Sequence, residues 1–209
     1  MGVRQENLKS IVFDKYQKFN HPKITEAEII NSRYYNEIQN IYNNLGGKLD
    51  PLPLRYGPWD ISTQNFILEL DEERHFNRYR LLTLDSKIYD NLSLFSVSNY
   101  KSYCINKEDK CKKTASWGKN WKNNSTEKMF PISDINGNLE NNGSSRWRQR
   151  AYYDFLKDFT SKIKSIPIYR ISIYDIFNGK SVNDLLIQNN YSEIDRLIQT
   201  RVSTGANTA

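Results

Sequence analysis

Apolar positions recur at helical spacing near the start of the chain. Leu8, Ile11, Val12, Phe13, Tyr16 and Phe19 fall near one face and predict a helix over residues 5 to 19. Thr25 followed by Glu28 has the form of a capping box, and it opens a second helix that Gly46 and Gly47 end after about Leu45. These helices either pack against a sheet or form an arm, about 1–48, that holds a second subunit. Beyond a Pro-rich connector, Arg55 to Ile61 and Phe66 to Asp71 read as extended segments around the polar turn Ser62-Thr63-Gln64-Asn65, giving a hairpin within about 54–76. Helical patterning returns over about Asn77 to Leu92 and Val97 to Lys113. Residues 114 to 145, rich in Asn, Gly, Ser and Lys, lack periodicity and predict a long surface loop. Arg146 to Ile163 predicts a helix, Ile166 to Ile173 a buried strand, and Val182 to Thr200 a last helix before a polar tail. Helices around a small mixed central β-sheet make the class α/β or α+β, and a length of 209 residues suits one domain.

Composition narrows the function classes. A mean hydropathy of −0.75 and 13% aromatic residues describe a Tyr-rich globular chain. No apolar run is long enough to span a bilayer and the N-terminus lacks signal-peptide blocks, so a cytoplasmic protein without a membrane partner is expected. Cys104 and Cys111 are the only cysteines and His21 and His75 the only histidines, too few ligands for most zinc folds. The net charge of +6 is concentrated: residues 101–150 hold eleven Lys/Arg against five Asp/Glu, and the remainder balances. With Trp117, Trp121 and Trp147 interleaved, this stretch has the footprint of a phosphate-contacting surface, although a basic run is also an ordinary solvated face.

The densest chemistry lies in Pro58-Trp59-Asp60, then Glu69-Leu70-Asp71, then His75. Strand alternation sends Ile67, Glu69 and Asp71 to one face and Phe66, Leu68 and Leu70 to the core. A four-residue turn sets Asp60 opposite Ile67, projecting to the same face as Glu69. Three converging carboxylates repel one another unless a cation neutralises them, and hard oxygen ligands beside phosphate favour Mg²⁺. The chemistry implied is phosphodiester hydrolysis. Alternatively, Asp71, Glu72 and Glu73 form a solvated turn and Glu69 pairs with Arg74 or Arg78. Against this, a charge inside Phe66-Ile67-Leu68-Glu69-Leu70 requires a partner or a purpose.

These residues resemble the PD-(D/E)xK nuclease superfamily, particularly its branch with an E-x-D-x-x-x-H ending related to very-short-patch repair endonucleases. Pro58-Trp59-Asp60 stands in for the PD element with one residue inserted, Glu69 matches the second metal-binding acid, and Asp71 stands where most members carry Lys. The resemblance implies a restriction-endonuclease-like fold and a Mg²⁺-dependent, site-specific type II enzyme. Such an enzyme is bacterial, cuts double-stranded DNA and acts as a homodimer on a palindrome, a rare-cutter of AT-rich sites being one candidate kind. A monomeric nicking or repair endonuclease and a non-catalytic nucleic-acid-binding protein are the alternatives. Asp71 then orients water or holds a second metal, and His75 donates to the phosphate or relays a proton, unless it is a packing residue.

Candidate DNA contacts follow the basic stretch. Arg146, Arg148 and Arg150, with Gln149, open a helix after the loop, and Arg and Gln are the forked side chains that read guanine and adenine. Helical spacing lets at most two of the four face one groove. Lys119 and Lys122 on the loop could close over a duplex, with partial disorder expected until DNA binds. Trp117 and Trp121 could stack on bases or pin the loop. Arg55 and Arg78 lie near the acids and suit either phosphate or salt bridges.

Overall fold

The computed structural model describes residues 2–91 and 95–206. Its centre is a three-stranded sheet in which β1 (Ile61–Ser62) runs antiparallel to β2 (Ile67–Asp71), and β2 runs parallel to β3 (Ile168–Ser172). Helices α1 (Val3–Lys15), α2 (Glu26–Ile30) and α3 (Tyr35–Asn44) precede the sheet. Between β2 and β3 come α4 (Arg78–Thr83), α5 (Val97–Asn106), α6 (Glu108–Ala115), α7 (Asn124–Met129) and the long α8 (Ser145–Lys164). A small hairpin, β4 (Ile176–Phe177) and β5 (Lys180–Ser181), leads to α9 (Val182–Ile187) and α10 (Tyr191–Ala206). This is the mixed, helix-flanked α+β arrangement that the patterning predicts. Among the described residues, no helix is long and apolar enough to cross a membrane.

Period-two alternation decides what each face of β2 meets. Leu68 and Leu70 join Leu8, Ile11 and Val12 of α1, Ile171 of β3, and Leu185, Ile194 and Leu197 of α9 and α10 in one apolar cluster. On the other side, Trp147, Ala151, Phe155, Leu156 and Phe159 of α8 pack with Ile38, Ile41 and Tyr42 of α3. Each such buried side chain stabilises by about 1.5–3 kcal/mol before the entropy of ordering is subtracted. The N-terminal helices therefore pack onto the body of the chain, α1 at one cluster and α3 at the other.

Several long periodic stretches are broken where the sequence reading runs them together. The Thr25–Glu28 capping box is present and starts α2, which ends at Asn31 before α3 begins. Lys107 separates α5 from α6, and Asn189, at φ 50°, separates α9 from α10. Asn77 to Leu92 becomes the short α4 and a 3-10 turn, Lys87–Asn91, and Leu92 lies outside the described residues. So does the end of the tail, 207–209.

The largest departure concerns residues 114 to 145, which are folded rather than a surface loop. Trp121 and Phe130 are fully buried, and the Trp121 ring meets Trp147 edge-on at 5.1 Å between centroids. Asn and Asp here cap and turn the backbone: Asn123 closes a capping box on α7, and Asp134 accepts from the N–H groups of Asn141 and Gly143. Ser144 caps α8 by accepting from Trp147 N, and its hydroxyl donates to the Trp121 carbonyl at 2.5 Å. The first turn of α8 is thereby pinned to this segment.

Candidate functional site

Ile61 pairs with Leu68 and Ser62 with Ile67, so the four residues between the paired positions are Thr63 to Phe66 instead of Ser62 to Asn65, and Asp60 lies level with Glu69 instead of Ile67. Thr63 tightens the turn, its hydroxyl accepting from Phe66 N while its own N–H donates to the Phe66 carbonyl. The consequence is direct contact between the two acidic positions: Asp60 N donates to Glu69 Oε1 at 3.0 Å. Asp60 itself is half-buried at the sheet edge, where Oδ2 accepts from Leu70 N and Oδ1 from Gln5 Nε2 of α1.

Glu69 is buried, and its partner is neither Arg74 nor Arg78. Lys157 of α8 reaches across the face and donates to Glu69 Oε2 at 2.5 Å. Burial pushes the Glu69 carboxyl up to about 7 against the pull of Lys157, and the nearby Asp60 adds to the rise. Burial pulls the Lys157 ammonium down, but Glu69 and Asp60 outweigh it and hold its pKa above the ordinary value. Lys157 thus stands as a charged side chain among acids, with its ammonium 5.8 Å from the centre of the Trp59 ring.

Asp71 is not free to complete a three-carboxylate cluster. Arg170 of β3, fully buried, donates from one nitrogen to both Asp71 oxygens at 2.7 and 2.9 Å. The same guanidinium donates to Asp158 Oδ1 at 2.5 Å, and Asp158 also accepts from Arg80 at 2.6 Å and from the Tyr89 hydroxyl at 2.7 Å. Asp71, His75 and Asp154 bring ligand atoms within 4.8 Å of one another. Because Arg170 already neutralises Asp71, and its terminal nitrogen lies 3.5 Å from Asp154, the group reads as an ion-pair network that a divalent cation would enter only against a buried guanidinium.

His75 belongs to that network. Arg150 donates to its Nε2 at 3.2 Å, which leaves the proton on Nδ1 to donate to Asp154 at 2.8 Å, with Asp71 at 3.1 Å. Both ring nitrogens therefore have partners, and the ring bridges Asp154 and Arg150.

Gly57, Pro58, Asp60, Glu69, His75, Arg146, Arg150, Tyr153, Asp154 and Lys157 surround a cleft of about 270 Å³. Arg146 and Arg150 have no acidic partner among the described residues, and neither has Arg74, whose guanidinium donates to Asn120 Oδ1 at 3.0 Å. Burial lowers the Arg146 pKa, and the nearby Arg150 and Arg74 guanidinia lower it further, so cations crowd one another at Arg146, which with Arg150 lines the cleft of the two acids. Crowding of this kind is relieved by an anion.

The other basic residues singled out in the sequence divide differently. Gln149 is buried, donating to Met129 Sδ and accepting from Arg146. Arg148 points away, donating to the carbonyls of Leu45 and Asn142 while lying 4.5 Å from the Tyr79 ring centre. Arg78 grips Glu108 and donates to the Leu139 carbonyl, and Arg55, exposed, pairs with Glu26. Lys119 and Lys122 are exposed and line a separate open cleft of about 700 Å³ with Asn123, Asn124 and Glu127. Of the tryptophans, Trp121 is an anchor and Trp117 is 57% exposed. Lys157 and Asp154 escape sequence reading, although Arg146, Arg150, Asp154 and Lys157 follow a four-four-three spacing that marks one face of a helix.

No curated protein and no solved structure matches the chain. Residues 40–188, which include both strands of the acidic hairpin, α8 and β3, match the family of unknown function DUF7255, and the chain belongs to that family.

Proposed function

We propose that this chain is a divalent-metal-dependent endonuclease acting on double-stranded DNA, with Asp60 and Glu69 as the metal ligands. One observation carries the reading: Lys157 contacts Glu69 next to Asp60, in a cleft also lined by arginines without acidic partners among the described residues. An acid pair flanked by a lysine is the charge set that the PD-(D/E)xK resemblance calls for. Asp71 cannot supply the lysine's charge, whereas Lys157 supplies it from a helix.

The donor set suits Mg²⁺. A carboxylate offers about four lone-pair directions, and each oxygen of Asp60 and Glu69 accepts a single hydrogen bond. A carboxyl held up to about 7 by burial is also one whose ionised form gains from a hard cation beside it. Bound there, Mg²⁺ supplies Lewis-acid polarisation of the scissile phosphate. Lys157 holds a fixed positive charge toward the oxygens on which negative charge grows. Arg150, oriented by His75, and Arg146 hold a phosphate of the same strand. The buried Asp71–Arg170–Asp158 network keeps α8 in register with β2, so that Lys157 and Glu69 stay opposed.

Incubating the purified chain with supercoiled plasmid and Mg²⁺ tests this reading. Discrete linear fragments are the result expected of a site-specific homodimer, and open circles that of a monomeric nickase. Intact plasmid at every Mg²⁺ concentration rejects the reading in favour of a non-catalytic binding protein.

A further inference from the structure

A second groove adjoins the cleft across Asp60. Pro58 and Asp60 line both spaces, and the second, about 640 Å³, runs between α1 and the extended segment 18–23. Its lining is aromatic and basic: Phe13, Phe19, His21 and Trp59 alternate with Lys18 and Lys23. Phe19 is 46% exposed although its ring meets His21 edge-on at 4.7 Å, so one face of a fixed ring is left to the groove. The platform is rigid, because His21 Nε2 bonds the Thr63 carbonyl at 2.8 Å and Trp59 Nε1 donates to the His21 carbonyl at 3.2 Å. Lys18 is exposed and has no acidic partner among the described residues, and Lys23 lies over Tyr56 and donates to its carbonyl.

Aromatic rings interleaved with lysines are the chemistry that accepts unpaired nucleotides: bases stack on the rings while ammonium groups follow the phosphates. A paired duplex, with its bases already stacked, has no use for the Phe19 ring. We infer that this groove takes the single-stranded continuation of the DNA strand held at Asp60, so that the preferred substrate is a duplex with an unpaired tail beside the cut. The inference rests on the nucleic-acid reading of the adjoining cleft.

Its test is binding without cleavage. Fluorescence polarisation in Ca²⁺ compares a blunt duplex with the same duplex carrying a single-stranded oligothymidine tail, for the full chain and for the double variant Phe19→Ala, Lys18→Ala. Both substituted residues are exposed, so the fold is retained. The full chain is expected to bind the tailed duplex about tenfold more tightly. The double variant should lose that preference while binding the blunt duplex as before, and Phe19→Tyr should keep it. Equal affinity of the full chain for both probes, or a preference that survives in the double variant, overturns the inference. A tail preference without any Mg²⁺-dependent cutting keeps the groove and rejects the catalytic reading, and cutting without a tail preference does the reverse.

Discussion

Lys157 and Glu69, 88 residues apart in sequence, meet at 2.5 Å between the longest helix and the central strand. The pair answers the question that a charge inside an apolar strand poses. It also turns that charge toward chemistry, because Asp60 stands on the other side of the same carboxylate.

Removing the ammonium while keeping the stem separates its catalytic part from its packing. Lys157→Met should lower Mg²⁺-dependent DNA cleavage by roughly a hundredfold or more, with DNA affinity in Ca²⁺ changed only slightly. Single-turnover cleavage checks this. Wild-type rates in Lys157→Met would remove Lys157 from the reaction.

Burial of Glu69 makes the stability of the metal-free protein depend on pH. Its folded pKa of about 7 lies above the ordinary 4.5. The folded state therefore holds the proton more tightly, and the stabilisation is full below about pH 4.5 and lost as pH rises through about 7. Glu69→Gln is neutral at every pH and lacks this term. Between pH 5 and 8, wild type should lose about 2 kcal/mol more stability than Glu69→Gln. Urea denaturation at the two pH values measures the difference, and parallel losses would contradict the assignment.

Arg170 neutralises two buried aspartates at once. Arg170→Met leaves Asp71 and Asp158 short of a counter-charge and should destabilise the fold by about 3–5 kcal/mol. A urea midpoint within error of wild type would show that the network does not hold α8 to the sheet.

Neighbouring arginines on α8 should behave in opposite ways. Arg146→Ala and Arg150→Ala are expected to weaken DNA binding and each to reduce its salt slope by about one. Arg148→Ala should leave the slope unchanged and cost about 1–2 kcal/mol of stability through its lost carbonyl contacts and Tyr79 stacking. Salt titrations of binding with matched melting curves distinguish the two classes, and equal slopes for all three variants would count against the cleft.

Much of the local structure is legible in the chain, because α1, α8, β2 and β3 each have a periodic apolar face and the Thr25 capping box has a local signature. The pairing of Asp60 with Glu69 is legible as a convergence, but its register depends on how tightly Thr63 closes the turn, which no spacing rule gives. Lys157 and Arg170 are invisible for another reason. Arg170 is a cation within an apolar run and Lys157 one charge among many on α8, and each meets an acid supplied by an element far away in sequence. Residues 114 to 145 mislead because Trp121 and Phe130 are isolated anchors without periodicity, and the surrounding polar residues work as caps and turns.

The most direct measurement is cleavage of plasmid DNA by Asp60→Asn and Glu69→Gln in Mg²⁺, set beside their DNA affinity in Ca²⁺. Both variants should lose roughly a thousandfold or more in cleavage rate while binding DNA within a few fold of wild type. Mg²⁺-dependent cutting by both variants at the wild-type rate would contradict the assignment of the two metal ligands.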